Sequence, residues 1–103
     1  MIRVKTYTKD NNIVKISIKG HANYKGYGND IVCASVSSIA LCTINAIYSF
    51  VDNSIDVKES DGSLDITILK EDETTIALLD NMIRCLTDIE KDYPSNIKLS
   101  KEE

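Results

Sequence analysis

A single His and one of three Cys flank the most irregular stretch of this chain: His21 follows the last residue of an alternating segment, and Cys33 stands twelve residues later. A thiolate attacking a carbonyl needs a base to take and return the proton, and donors for the oxyanion that forms. His21 suits the base, and Cys33 suits the nucleophile. Asp30 is a good helix N-cap type just before an apolar run, which predicts a helix opening there with Cys33 in its first turn. Unpaired backbone amides and the positive end of the helix dipole at that place lower a thiol pKa, and a nearby imidazole lowers it further. The Cys33 amide, with another from the helix start or the loop, would serve the oxyanion. Asp30 has two competing uses, as cap or as a carboxylate orienting His21.

The bland readings stand beside these. A His after a strand is commonly a surface or hydrogen-bonded residue, and a Cys in a helix is commonly a small buried hydrophobe. Cys42 and Cys85, with no His or acid in evident reach, read as core. The loop residues Tyr24 and Tyr27 would either pack or grip an apolar peptide side chain. The glycine-rich loop fits a phosphate site poorly, since it lacks the third Gly of a dinucleotide fingerprint and any Gly-Lys-Ser/Thr, and Asp30 would repel phosphate. Three Cys in an odd, widely spaced set make neither a disulfide framework nor a zinc site, so no metal or cofactor is expected.

The elements that must position these groups follow from periodicity. Ile2 and Val4, then Val14, Ile16 and Ile18, alternate around the polar Lys9-Asp10-Asn11-Asn12 turn, which predicts a hairpin. Gly20, Gly26 and Gly28 break the pattern into a loop. From Ile31 to about Val51, Val32, Val36, Ile39/Ala40, Thr43 and Ile47 fall at helical spacing, while the other sides carry small residues rather than charges. Such a helix is expected to be covered on more than one side, by the sheet and by either the second helix or another subunit. Ile55 and Val57, then Leu64, Ile66 and Ile68, predict a second hairpin around Asp61-Gly62. A second, amphipathic helix runs from about Asp72 to Lys91 on the stripe Ile76, Leu79, Ile83, Leu86 and Ile89, opened favourably by Glu71-Asp72-Glu73. Tyr93-Pro94 ends it, and Ile97 and Leu99 make a last short strand. The order is ββαββαβ, a single α+β domain over residues 1–103 with a mainly antiparallel sheet packed against two helices.

Length and composition set the outer bounds. A chain of 103 residues, 43% hydrophobic and 27% charged with one Pro, is an ordered globule with room for one core. The formal net charge of −4 opposes generic nucleic-acid binding, and none is expected unless Lys5, Lys15, Lys19 and Lys25 gather on one face. The apolar run carries too many Ser, Thr and Asn for a comfortable bilayer span, and the amino terminus does not read as a secretory signal. A cytoplasmic protein is expected, with no membrane partner.

Gly20-His21-Ala22, a loop ending in Gly28-Asn29-Asp30, and then Ile31-Val32-Cys33-Ala34-Ser35-Val36-Ser37 resemble the ribosomal-processing cysteine protease family called Prp. Chain size and element order agree with that family along essentially the whole length. The resemblance implies a homodimeric cytoplasmic endopeptidase of Firmicutes and related bacteria that removes the amino-terminal extension of large-subunit ribosomal protein twenty-seven. It implies that His21 and Cys33 form the catalytic dyad and places the family's motif Asp and Ser on Asp30 and Ser37. Family substrates present an apolar, aromatic-rich segment before the cut, which suits Tyr24 and Tyr27 as contacts. The rival reading is a non-enzymatic ribosome-associated module that binds a peptide or RNA through the loop without cutting.

Overall fold

The computed structural model describes the backbone of residues 1–20 and 27–103 and the side chains of residues 1–20 and 31–103. Its elements are β1 (Ile2–Lys9), β2 (Asn12–Lys19), α1 (Tyr27–Phe50), β3 (Ile55–Ser60), β4 (Ser63–Ile68), α2 (Glu73–Asp92) and β5 (Ile97–Glu102), in the order expected from periodicity. The first hairpin closes on Asp10 and Asn11, whose φ values of 53° and 66° are those of a type I′ turn, the twist-compatible two-residue connection.

The five strands form one sheet in the order β3-β4-β2-β1-β5. All pairings are antiparallel except that of β1 with β5, which runs parallel from Ile2 opposite Ile97 to Tyr7 opposite Glu102. The pairing directions make β2-α1-β3 and β4-α2-β5 crossovers between parallel strands, each skipping over intervening strands. These crossovers move in opposite directions across the sheet and start from antiparallel strands. Right-handed connections, which such units adopt almost without exception, therefore put both helices on the same face. The core lies there, with Ile2, Val4, Ile16, Ile18, Ile66 and Ile97 of the sheet all fully buried against Val36 and Ile47 of α1 and Leu79 and Leu86 of α2. The two helices also pack against each other, and α2 lies along β5. The opposite face of the sheet is left without a helix.

The second helix follows its expected stripe with a small rotation. Thr75, Leu79, Met82 and Leu86 are buried at its centre, and Ile76, Ile83 and Ile89 form the flanks. Thr75 is accommodated because its hydroxyl donates to Ser54 Oγ at 2.7 Å inside the core. Asp72 caps this helix, its carboxylate accepting the Thr75 N–H at 2.9 Å. Asp72→Ala removes the acceptor for that amide and is expected to lower stability by about 1 kcal/mol, read from urea unfolding midpoints.

Two local expectations are corrected. The first helix opens at Tyr27 rather than after Asp30, so Asp30 is its fourth residue and not its cap. Gly28 is thereby helical, a place where Gly costs about 1 kcal/mol relative to Ala, and local propensity points the other way. Cys42 is exposed rather than core, because it falls on the side of α1 away from the buried stripe, and Cys85 is half-buried. The first helix is covered within the chain by the sheet and by α2, while Ile31, Ala34, Ser38, Leu41, Asn45 and Tyr48, at alternating three- and four-residue steps, are all exposed. By length and composition Ile31–Phe50 would suffice to cross a membrane, yet the same segment supplies Val32, Val36, Ala40, Ile44 and Ile47 to the core.

Candidate active site

The sequence places its chemistry between the end of β2 and the start of α1. Gly20 ends β2 at a φ of 95°, left-handed backbone that suits a residue without Cβ. Its N–H donates to the Gly62 carbonyl at 2.6 Å, fastening the point where the chain leaves the sheet to the turn of the second hairpin. The motif reading did not supply this contact. Its sequence signal is the Asp61-Gly62 turn, since Gly62 also takes a positive φ, of 74°.

Cys33 is the seventh residue of α1, half-buried and packed against the core cluster. Ser37 lies one turn further on, on the same flank of the helix and also half-buried. Both side chains border the stripe formed by Val32, Val36 and Ala40, so the thiol is held by packing on one side. His21 and Tyr24 lie outside the described residues, as do the side chains of Tyr27 and Asp30. The structure thus brings Cys33 and Ser37 together and gives no geometry for the others.

The position of the helix start changes the electrostatic argument for the thiol. The amides without an intrahelical acceptor lie in the first turn, which opens at Tyr27, and the dipole effect falls off within that turn. In the second turn Cys33 receives less from the helix terminus than a first-turn thiol would, and its own amide belongs to the helical ladder. The helix terminus thus supplies less of any thiol activation than the first-turn placement expected from the sequence, and the Cys33 amide is not free to serve an oxyanion.

Nothing else described competes with this site for the chemistry. Among the described residues no group of three or more His, Cys, Asp or Glu is placed to hold a metal ion. An open groove between α2 and strands β1 and β5, lined in part by Thr6, Ile13, Asp80, Arg84, Thr87 and Leu99, lies toward the Asp10-Asn11 end of the sheet and includes none of the site residues.

Comparison with known proteins matches this arrangement over the full fold. The family model for cysteine protease Prp matches residues 1–98. The ribosomal processing cysteine protease Prp of Staphylococcus aureus strain Mu50 is 29% identical over 98 residues, covering 92% of each chain. That of Bacillus subtilis strain 168 is 29% identical over 101 residues, covering 88% of each. A crystal structure of the S. aureus protease with a substrate peptide superposes with a TM-score of 0.93 at 28% identity, covering 99% of this chain and 100% of that one. A second, with a covalently linked product peptide, gives 0.89 at 29% identity over 99% and 100%. With a thiol held at the flank of α1, the same ββαββαβ order and a family match over nearly every residue, this chain belongs to the Prp family of cysteine proteases.

Proposed function

We propose that the protein is an endopeptidase of ribosome maturation that removes the amino-terminal extension of large-subunit ribosomal protein twenty-seven in the cytoplasm, with Cys33 as nucleophile and His21 as general base and acid. His21 takes the thiol proton, and the thiolate adds to the scissile carbonyl. Collapse of the tetrahedral adduct breaks the C–N bond, and the imidazolium returns the proton to the leaving amine. The resulting thioester is hydrolysed by a water that His21 deprotonates, which restores the thiol and frees the new carboxyl terminus. The relatives' name, ribosomal processing protease, supports the substrate class. A relative held with a covalently linked product peptide supports a nucleophile that bonds to its product.

The observation that carries this reading is the placement of Cys33 at the edge of the core in the Asp30-Ile31-Val32-Cys33-Ala34 segment of a chain matched along its length by the protease family. Incubation with a peptide copying the extension, followed by mass measurement, is expected to give two fragments whose masses sum to that of the peptide plus water. A bound but intact peptide would favour the non-enzymatic module.

A homodimer accompanies this proposal. The exposed stripe Ile31, Ala34, Ser38, Leu41, Asn45 and Tyr48 has the three-and-four spacing by which one helix packs along another, and no charge interrupts α1 from Ile31 to Phe50. Leu41 is 52% exposed, Tyr48 53% and Phe50 74%, an apolar surface that a second copy of the same helix would cover. Leu41→Glu is expected to shift sedimentation from dimer to monomer at micromolar concentration while leaving the far-UV spectrum unchanged. A monomeric wild type would sink the dimer.

A further inference from the structure

Both helices cover one face of the sheet, and the charges on the other face are segregated. Alternation along the strands sends Arg3, Lys5, Lys15, Lys19, Lys58 and Lys98 to the open face against three carboxylates, those of Asp56, Asp65 and Glu102. The face is therefore cationic in a chain whose formal net charge is −4. The cations also crowd toward one end. Arg3 sits directly opposite Lys19 on β2 and Lys98 on β5, with Lys5 next along β1 and only Ser17 and Ser100 beside it. Asp56 and Glu102 lie in the row at the far end, where Lys15 stacks over the Tyr7 ring at 5.7 Å.

Like charges directly across a ladder are destabilising, and adjacent strands are about 4.8 Å apart, so the Lys98-Arg3-Lys19 row packs three cations into about 10 Å. Among the described residues none of these three, nor Lys5, is in an ion pair. All four side chains are exposed. A row of this kind is matched by a ligand that brings closely repeated negative charges, as a phosphodiester backbone does, and the exposed Ser100 hydroxyl beside Lys5 is suited to a phosphate oxygen. It also borders the end of β2 at which the chain leaves the sheet toward His21.

We propose that this row of the open sheet face docks the backbone of single-stranded RNA, holding the protease on a ribonucleoprotein surface while the site at Cys33 acts on a protein. The choice of RNA among polyanions rests on the ribosomal-processing reading; the cationic row does not. Net charge summed over the chain hides segregation between faces, and Lys5, Lys15 and Lys19 of the patch weighed in the sequence do share this face.

Fluorescence anisotropy with a labelled oligouridylate of about twenty nucleotides tests it, comparing wild type with Arg3→Gln/Lys5→Gln/Lys98→Gln and with a control, Lys70→Gln/Arg84→Gln/Lys91→Gln, which removes as much charge away from this face. At about 50 mM salt the first variant is expected to bind at least tenfold more weakly and the control within threefold of wild type. The slope of log Kd against log salt is expected to shrink by about 2 in the first variant alone, at roughly 0.7 per lost contact. Should the triple variant fail to fold by circular dichroism, Lys98→Glu on the edge strand carries the test, with an expected loss of at least threefold. The proposal is overturned if the wild type does not bind the oligonucleotide, if the two triple variants lose affinity equally, or if polyglutamate or phosphatidylserine vesicles compete as well as RNA at equal charge. Cleavage of the short peptide is read in the same samples and is expected to be equal in all of them, so an inactive wild type that still binds RNA fails the protease reading and spares this one.

Discussion

Cys33→Ala is expected to lower peptide cleavage by at least about a thousandfold, because the covalent step has no other nucleophile at that place and the residual rate comes from binding and oxyanion donors alone. The fold should survive. The thiol is half-buried at the edge of the core, so its loss removes a small packing contact, worth about 1 kcal/mol or less, rather than opening a closed cavity. Initial rates by liquid chromatography and a thermal melt separate the two effects. His21→Ala should cost about 10²- to 10⁴-fold, and the double variant should be no slower than Cys33→Ala, since nucleophile and base act as a unit. A Cys33→Ala protein cleaving within tenfold of wild type would remove Cys33 from the mechanism, and a double variant showing multiplied losses would separate His21 from it.

Leu79→Ala is the substitution expected to damage the fold most per atom removed. Leu79 is wholly buried on the inner face of α2, within the single cluster that joins both helices to the sheet. Loss of its terminal carbons leaves a void that the surrounding β-branched Ile and Val residues have little freedom to fill, so the expected cost is about 2–5 kcal/mol. In a domain of this size that is a fall in Tm of roughly 10–30 °C. Leu41→Ala is the natural contrast: the same chemical change at a residue 52% exposed should leave the unfolding of an isolated subunit nearly unaltered. A drop of less than about 1 kcal/mol for Leu79→Ala would mean that the α2 contact with the sheet is far looser than its burial indicates.

Much of the architecture was legible because its signals are local. The alternation of Ile2/Val4 and Ile16/Ile18, the polar Asp10-Asn11 turn and the acidic opening of the second helix each depend on residues a few positions apart, and all recur in the structure. What a local reading could not supply is whatever depends on partners distant in sequence. Nothing in Ile97-Lys98-Leu99 says that this strand lies parallel to β1. In the same way, the alternating Arg3/Lys5 and Lys15/Lys19 are visible one strand at a time, but the row that Arg3 and Lys19 form with Lys98 follows from strand order and register. The first helix shows a third kind of limit. Its segment from Ile31 to Phe50 has no charged residue to mark an outer side, so the side bearing Cys42 read as well for core as the side bearing Val36.

The candidate site divides along the same line. The DIVCA segment is a contiguous string, and its Cys is singled out by type and spacing. The start of its helix was misplaced because Asp30 is a better cap by residue type than the residues preceding Tyr27, while Gly26 and Gly28 argue against helix. The error matters chemically, since it moves the thiol by one turn relative to the free amides.

The parallel partnership of the first and last strands sets a timetable for biosynthesis. The Ile2 amide donates to the Asn96 carbonyl at 2.9 Å, and Ile2 stands opposite Ile97, so β1 gains its second neighbour only after nearly a hundred residues have been polymerised. Until then a strand destined for the interior of the sheet has an open hydrogen-bonding edge, which in a nascent chain is an invitation to wrong pairing. Closing so long a loop also makes this pairing entropically slow. The enzyme must therefore finish folding after its carboxyl-terminal segment has left the exit tunnel, and chaperone contact is most needed in that short interval.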